Sequence, residues 1–344
     1  MQFVHDVPPQ RVVFAPGATA KVADEAAQLG LARALVIATP GSGARLGSRI
    51  VDLLGSRSAG LHAQAVVHVP RAVAEAGLAA ARQATADGLV AVGGGAAIGL
   101  AKAIALETRL PILAVPTTYS GSEASPLYGM TDGERKITGR DRRVVPRTIV
   151  YDPDLTFGLP AGVSAASGMN AMAHAVEALW VAERTPITMA FAADALRRFA
   201  KYLPRVVADG ADREAREECL VAAWLAGSVI GTGTALHHKL AHVLGGLGMP
   251  HAETHAILLP HVTRFNIPSA PEARSRMAEA FATDDPAQGL AAMLKKFPIP
   301  QRLREVGFDR AKTDFVAKEI AALSVSAPRK AGVEDVRALL DAAY

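Results

Sequence analysis

The sequence predicts an α/β N-terminal domain followed by an all-helical C-terminal domain. Three observations carry this. Short β-branched runs alternate with alanine-rich helical stretches through the first half, the pattern of βα units around a mostly parallel, doubly wound sheet. These runs are apolar without alternation, as strands covered on both faces are. After Leu159 and Pro160 the strand signals fade and helical periodicity takes over. The domains are therefore placed at residues 1–155 and 156–344, and a cleft between them is the default ligand site.

QRVVFAPG (10–17) reads as a strand and turn, followed by a helix from Thr19 to Leu29. RALVIAT (33–39) is a strand, and Ala44 to Leu54 suits a helix. QAVVHV (64–69) is a strand by its β-branched content, with a helix over Ala72 to Thr85. LVAVGGG (89–95) is a strand running into glycines, then a helix to Glu107. PILAVPTT (111–118) is a strand, PLYGMTDGERKITG (126–139) a hairpin and TIVYDP (148–153) the last strand. Helical patterns follow at 163–184, 188–201, 211–230, 234–244 and 252–259, and the tail ends in the helical AGVEDVRALLDAAY.

The 344 residues are 50% hydrophobic, ample for large cores. The start, MQFVHDVPPQ, lacks the basic and apolar regions of a signal peptide, and no long apolar run is free of charge. A soluble, cytoplasmic protein without a membrane partner is expected. The single cysteine, Cys219, excludes an intrachain disulfide and is expected to pack as a small buried hydrophobe. Net charge is +4, with Arg and Lys scattered among Asp and Glu and aromatics at only 5%. Only RDRRVVPR (140–147) is dense, and Arg140, Arg142 and Arg143 read as a solvated loop. This argues against a nucleic-acid partner and is compatible with a small anionic substrate.

Gly93, Gly94 and Gly95, with Ala96 next, stand directly between a strand and a helix. Glycines permit close approach of a diphosphate, and the helix N-terminus offers free donors and a favourable dipole. This is neither the ordinary Rossmann fingerprint nor a lysine-containing P-loop. A phosphate cradle is expected, with a plain structural turn as the alternative. VPTTYSGSEAS adds Thr117, Thr118, Ser120, Ser122 and Ser125 at the end of the next strand. There Thr118 and Ser122 are the expected ligand contacts, and ordinary capping is the competing role. Thr39 and Pro40 occupy the place where an acid would bind an adenosine ribose and repel a 2′-phosphate. NADH and NADPH both stay open, and nearby Arg45 favours the phosphorylated form only weakly.

GTGTALHHKLAHVLGGLGMPHAETHAILLPH (231–261) holds six of the ten histidines. His238 and His242 are four apart, as are His251 and His255, and as are Asn170 and His174 in SGMNAMAHAVEALW. Each pair shares a helix face, so three pairs can line one cavity. A catalytic divalent metal wants several histidines and often a carboxylate. Here the helical partner of His174 is a neutral amide. Protonated imidazoles that attract carboxylates and donate protons are the metal-free alternative.

With these residues in view, the chain resembles the iron-containing alcohol dehydrogenase family, in its maleylacetate reductase branch. The resemblance covers almost the whole length. It rests on GGG at 93–95, PTTYSGSE at 116–123, YDP at 151–153, SGMNAMAHAVEALW at 167–180, and ALHHKLAHVLGG with PHAETHAILLPH. It implies a dehydroquinate synthase-like fold. In metal-dependent members an Asp and three His bind the ion. The Asp position matches Asn170, and the histidines match His174, His238 and His251. His242 matches a histidine near the nicotinamide. The glycine turn usually continues with Ser and, three residues later, Asp, where this chain has Ala96 and Gly99.

The resemblance implies reduction of 2-maleylacetate to 3-oxoadipate by NADH or NADPH, in bacterial breakdown of aromatic compounds, by a homodimer. No tightly bound metal is expected. His242 is the leading proton donor or enolate stabiliser. His174, His238 and His251 form a cationic wall for a small dicarboxylate substrate. Asn170 orients a histidine or a substrate oxygen, and Lys239 is a further candidate. The rivals are a metal-dependent alcohol dehydrogenase, a dehydroquinate-synthase-like lyase and a nucleotide-binding regulator without turnover.

Overall fold

The computed structural model describes every residue but Met1, Asp6, Val7, Pro8, Glu134 and Ser324, and the backbone alone of Arg135 and Lys136. The chain forms two compact units, Asp6–Leu159 and Pro160–Tyr344 with Met1–His5. The expected boundary at 155/156 would cut a short 3₁₀ helix, Pro153–Thr156, which Asp152 caps by accepting from the Asp154 N–H at 3.1 Å.

The first unit contains β1 (Arg11–Phe14), α1 (Val22–Gln28), β2 (Ala34–Ile37), α2 (Ser42–Leu54), β3 (Ser58–His62), α3 (Arg71–Gln83), β4 (Gly88–Gly93) and α4 (Gly95–Thr108). It continues with β5 (Ile112–Pro116), β6 (Leu127–Asp132), β7 (Arg135–Arg140) and β8 (Thr148–Tyr151). Among the described residues the main sheet has six strands, all parallel, in the order β1-β8-β5-β4-β2-β3. Alternate side chains explain the unbroken apolar runs. Leu35, Ile37, Leu89 and Ala91 face Leu100 and Ile104 of α4, while Val36, Val90 and Val92 join Ile50 and Leu54 of α2 on the other face. β6 and β7 form the expected antiparallel hairpin, whose Glu134 lies outside the described residues.

One strand was misplaced by sequence. QAVVHV is not a strand, and its place in the sheet is taken by β3, SAGLH, which pairs with β2. Val67 is 61% exposed, and His68 and Val69 have φ of 67° and 44°, which no strand holds. Thr131 secures this bend instead, donating from its hydroxyl to the His68 carbonyl (3.0 Å) and from its N–H to the Val69 carbonyl (3.1 Å).

The second unit is helical: α5 (Ala161–Ala178), α6 (Pro186–Ala208), α7 (Arg213–Val229), α8 (Leu236–Gly246), α9 (His251–Asn266), α10 (Pro271–Phe281), α11 (Pro286–Lys295), α12 (Thr313–Ala322) and α13 (Val333–Ala343). α6 begins with a Thr185/Thr188 capping box and Pro186 in its first turn. α5 stops at Ala178 rather than 184, and the Ala182 N–H donates to the Ser326 hydroxyl at 2.9 Å. α6 and α9 run through Pro204 and Pro260, past the expected ends. The apolar face beyond each proline is fully buried, at Val206 and Val262, and that burial outweighs the lost backbone bond. α8, α9, α12 and α13 share a core including Leu240, Leu244, Ile257, Val316, Ile320 and Leu340. Cys219 is fully buried, as expected. Among the described residues no single helix is long and apolar enough to cross a membrane. Arg213–Thr232 and Leu236–Gly246 reach that length and composition only as a pair, bent by 95°.

Candidate active site

In the α/β unit, β5, β4 and β2 are neighbours, so the segments after them meet at one edge of the sheet. Thr39 follows β2, Gly93 to Gly95 end β4 and open α4, and Thr117 and Thr118 follow β5. The order of strands reverses between β2 and β4, and such switch points, outside the carboxyl ends of strands, are where open α/β sheets bind ligands.

The glycines are required by geometry. Gly93 has φ of 140°, a conformation that side chains rarely adopt. A Cβ on Gly94 would stand 2.8 Å from Thr118 Cγ2 and 2.9 Å from its Oγ1. Gly94 is the N-cap of α4 and no side chain caps it, so the first-turn N–H groups of Gly95 and Ala96 point out of the helix end. α2 starts the same way, from Gly41 without a side-chain cap. Thr39 Oγ1 lies over that turn, 2.1 Å from where a Cβ on Gly43 would be. Two uncapped helix N-termini at a switch point, one on a glycine cradle, fit a dinucleotide's phosphates.

Ser122 opens a short 3₁₀ helix, Ser122–Ala124. It is held by Lys102, which the sequence reading passed over. This lysine of α4 is fully buried and donates to the carbonyls of Ser122 (2.6 Å), Ser125 (2.8 Å) and Leu127 (2.8 Å). Burial pushes its ammonium down to about 7, against the pull of Glu123. Burial raises the Glu123 carboxyl in turn, and the Tyr151 hydroxyl donates to it at 2.6 Å. A lysine within the apolar stretch GLAKAIAL was the available signal.

In the helical unit, α5, α8 and α9 bring six imidazoles together. Ring centroids of His174 and His238 are 4.4 Å apart, His238 and His255 4.8 Å, and His255 and His251 4.5 Å. His237 lies 4.9 Å from His255 and His242 6.1 Å from His238. His174, His238, His242 and His251 were expected there, and the helical spacing placed them correctly. His237 and His255 were not assigned a role, and they share a 2.9 Å contact between Nε2 and Nδ1. Glu177 was also missed. It is fully buried, three residues after His174 on α5, and the His238 Nδ1–H donates to its Oε2 at 2.5 Å.

Electrostatics alter one ring of the expected cationic wall, His174. Burial, followed by the neighbouring imidazoles, holds His174 and His255 well below the usual histidine range, and burial takes His237 down to about 3. His174 is therefore neutral at neutral pH, and contributes direction rather than charge. Burial alone would raise the Glu177 carboxyl, but His238 and the N–H donors around it bring it below the ordinary range. Asn170 is buried and its Oδ1 has no hydrogen-bond partner. Lys239 is half-buried on α8, three residues before His242.

The donor set was tested against a divalent ion. Two imidazole nitrogens on one tetrahedral ion stand about 3.3 Å apart. Here His238 Nε2 and His174 Nδ1 share a 2.5 Å hydrogen bond, and the position matching a ligand carboxylate is Asn170. Among the described residues no three His, Cys, Asp or Glu side chains are placed to hold a metal. As arranged, these residues do not fit one.

Comparison with known proteins identifies the family. Residues 9–153 match the iron-containing alcohol dehydrogenase family, and residues 164–344 match the C-terminal part of the Fe-containing alcohol dehydrogenase family. The chain is 46% identical to a maleylacetate reductase of Sphingobium indicum, covering 95% of this chain and 92% of that protein. It is 45% identical to maleylacetate reductase 2 of Cupriavidus pinatubonensis, covering 100% and 97%. The crystal structure of maleylacetate reductase from Agrobacterium tumefaciens superposes with a TM-score of 0.94 at 40% identity, covering 100% of this chain and 98% of that one. An α/β unit with an open glycine turn, a helical unit with a histidine array and this full-length likeness lead to one conclusion: the chain belongs to the iron-containing alcohol dehydrogenase family.

Proposed function

We propose that this chain is an oxidoreductase that reduces the conjugated carbon–carbon double bond of 2-maleylacetate to give 3-oxoadipate, with NADH or NADPH and without a tightly held metal. The full-length likeness to maleylacetate reductases carries the reading. The hydrogen-bonded histidines beside a neutral Asn170 support its metal-free form. The same reading makes it a cytoplasmic homodimer of aromatic-compound degradation. Its partner is a small dicarboxylate, with neither nucleic acid nor membrane involved.

Bound NADH or NADPH supplies the hydride. The alkene carbon beta to the ketone gains it, negative charge develops on the ketone oxygen as an enolate, and a proton reaches the adjacent carbon. Gly93 to Gly95, Ala96, Thr117, Thr118, Ser122 and Thr39 hold the dinucleotide through backbone donors and hydroxyls. His242 holds the proton or stabilises the enolate, and one well-placed donor there is worth roughly 3 to 4 kcal/mol. The rings of His174 and His238 orient substrate oxygens, with His251 beside them. The Asn170 NH₂ donates to a substrate oxygen, and its unpartnered Oδ1 accepts from water.

A second reading, a metal-dependent alcohol dehydrogenase, draws on one observation. The Glu177–His238 contact is of the kind that stands behind metal-bound histidines. It requires the His174–His238 bond to open. Absorbance at 340 nm separates the two. Enzyme dialysed against chelator and checked for residual metal should oxidise NADH or NADPH with maleylacetate. Turnover that returns only with iron, zinc or manganese would favour the second reading, and no turnover on maleylacetate in either state would sink the first.

A further inference from the structure

We propose that Glu177 is a positioning residue that fixes a hydrogen on His238 Nδ1, aims that ring at His174, and docks the N-terminus of α8. Three N–H groups converge on its carboxylate. Oε1 accepts from the His237 backbone N–H at 2.7 Å, and Oε2 accepts from the Ala235 backbone N–H at 2.8 Å and from His238 Nδ1 at 2.5 Å. A carboxylate only accepts, so His238 Nδ1 carries the hydrogen. The ring's other nitrogen, Nε2, stands 2.5 Å from His174 Nδ1, so the two rings share one hydrogen there. The carboxylate behind His238 thus sets the direction of that ring and, through it, of the contact with His174.

The same side chain does a second task. Ala235 is the N-cap of α8 and makes no side-chain cap bond, so the helix's first N–H groups are satisfied from α5 instead. Glu177 and His174 share a face of α5, and one helix therefore positions both His174 and the start of α8. His242, one turn after His238, takes its bearing from that anchor. Nothing in the local sequence of α8 supplies this.

Glu177→Leu exposes the dependence. It removes all three contacts, so the hydrogen on His238 Nδ1 loses its acceptor and the ring is released to carry it on Nε2. Glu177→Gln is the milder change, because an amide oxygen at the Oε2 position still accepts from Ala235 and His238 and only the His237 backbone N–H meets the NH₂. The effect on catalysis rests on the reductase reading above, whereas the effect on the His238 tautomer does not.

The test is nitrogen-15 NMR of histidine-labelled full-length protein, in which two-bond couplings report the tautomer, alongside the maleylacetate assay. The wild type should show a hydrogen on Nδ1 of His238. E177L should show the Nε2–H form of His238, with kcat lower by about 100-fold and KM little changed. E177D, which keeps a carboxylate, should keep the wild-type His238 signal and a kcat above that of E177L. If E177L does not fold, E177D decides, and loss of the Nδ1–H signal there overturns the proposal. So does an unchanged His238 signal in folded E177L, or an inverted tautomer with kcat intact. A wild type that turns over no maleylacetate defeats the reductase reading, while the tautomers still decide the role of Glu177.

Discussion

Lowering the pH from about 7.5 to about 5 tests the neutrality of the histidine cluster through stability. His237 is fully buried, and burial holds its imidazole at about 3. In the unfolded chain the same ring titrates at about 6.5. Between those values the unfolded state binds a proton that the folded state does not. The stability from His237 is therefore present above about 6.5 and lost as pH falls toward about 3. Each pH unit in that window costs about 1.4 kcal/mol, so His237 alone removes about 2 kcal/mol by pH 5. His174 and His255 are depressed in the same direction and steepen the loss. Domains commonly have only about 5 to 15 kcal/mol in total, so the effect is readily measured. Urea unfolding followed by circular dichroism at both pH values, on wild type and His237→Asn, gives two pH differences. The direct cost of the substitution cancels between them. The wild type should lose several kcal/mol and the variant about 2 kcal/mol less. Equal wild-type stability at both pH values, or the same loss in H237N, would refute the reasoning.

Other perturbations address the α/β unit and the proton donor. Lys102→Met leaves three carbonyls, one buried and two part-buried, without their donor. Each costs about 1 to 3 kcal/mol, offset by removal of a buried ammonium, so a net loss of about 3 kcal/mol is expected. The melting temperature should fall by roughly 6 to 12 °C, and a variant melting like wild type would show the lysine is not holding the loop. Gly94→Ala has an ordinary backbone conformation and meets only the Thr118 side chain, at 2.8 Å. Its overpacking, about 1 to 2 kcal/mol, should raise KM for the nucleotide by about tenfold with little change in kcat. An unchanged KM would place the dinucleotide elsewhere. Gly93→Ala, at φ of 140°, should be the more damaging of the two. His242→Ala should lower kcat/KM by about 100-fold in folded protein, and near-normal activity would remove it as the proton donor.

What could be read from sequence depended on how local the cause was. The parallel sheet was legible because β4 and β5 are apolar on both faces, and only strands sandwiched by helices are built that way. QAVVHV misled because β-branched content favours a strand only where a neighbour can pair with it. SAGLH, with little such content, won that place by pairing with β2. The ends of α6 and α9 were misjudged at Pro204 and Pro260 because burial beyond a proline is a tertiary fact. The glycine turn was legible, since Gly93 is forced by its own backbone and Gly94 by Thr118 close after it. The histidine array was legible from spacing alone. Glu177 was not, because the ring it orients is 61 residues away.

The charge of the array was the least legible feature, and the reason bears on function. Counting histidines suggests accumulating positive charge. Bringing imidazoles within 4.4 to 6.1 Å in a buried site works against it, because each neighbour and each lost water disfavours the protonated form. His174, His237 and His255 are neutral for that reason. Neutral imidazoles keep one donor and one acceptor each, so what they impose on a ligand is orientation. A dicarboxylate approaching these three rings would be selected by where its oxygens point more than by its net charge. It follows that removing Glu177, the buried carboxylate that directs His238 toward His174, should harm turnover more than removing any exposed arginine.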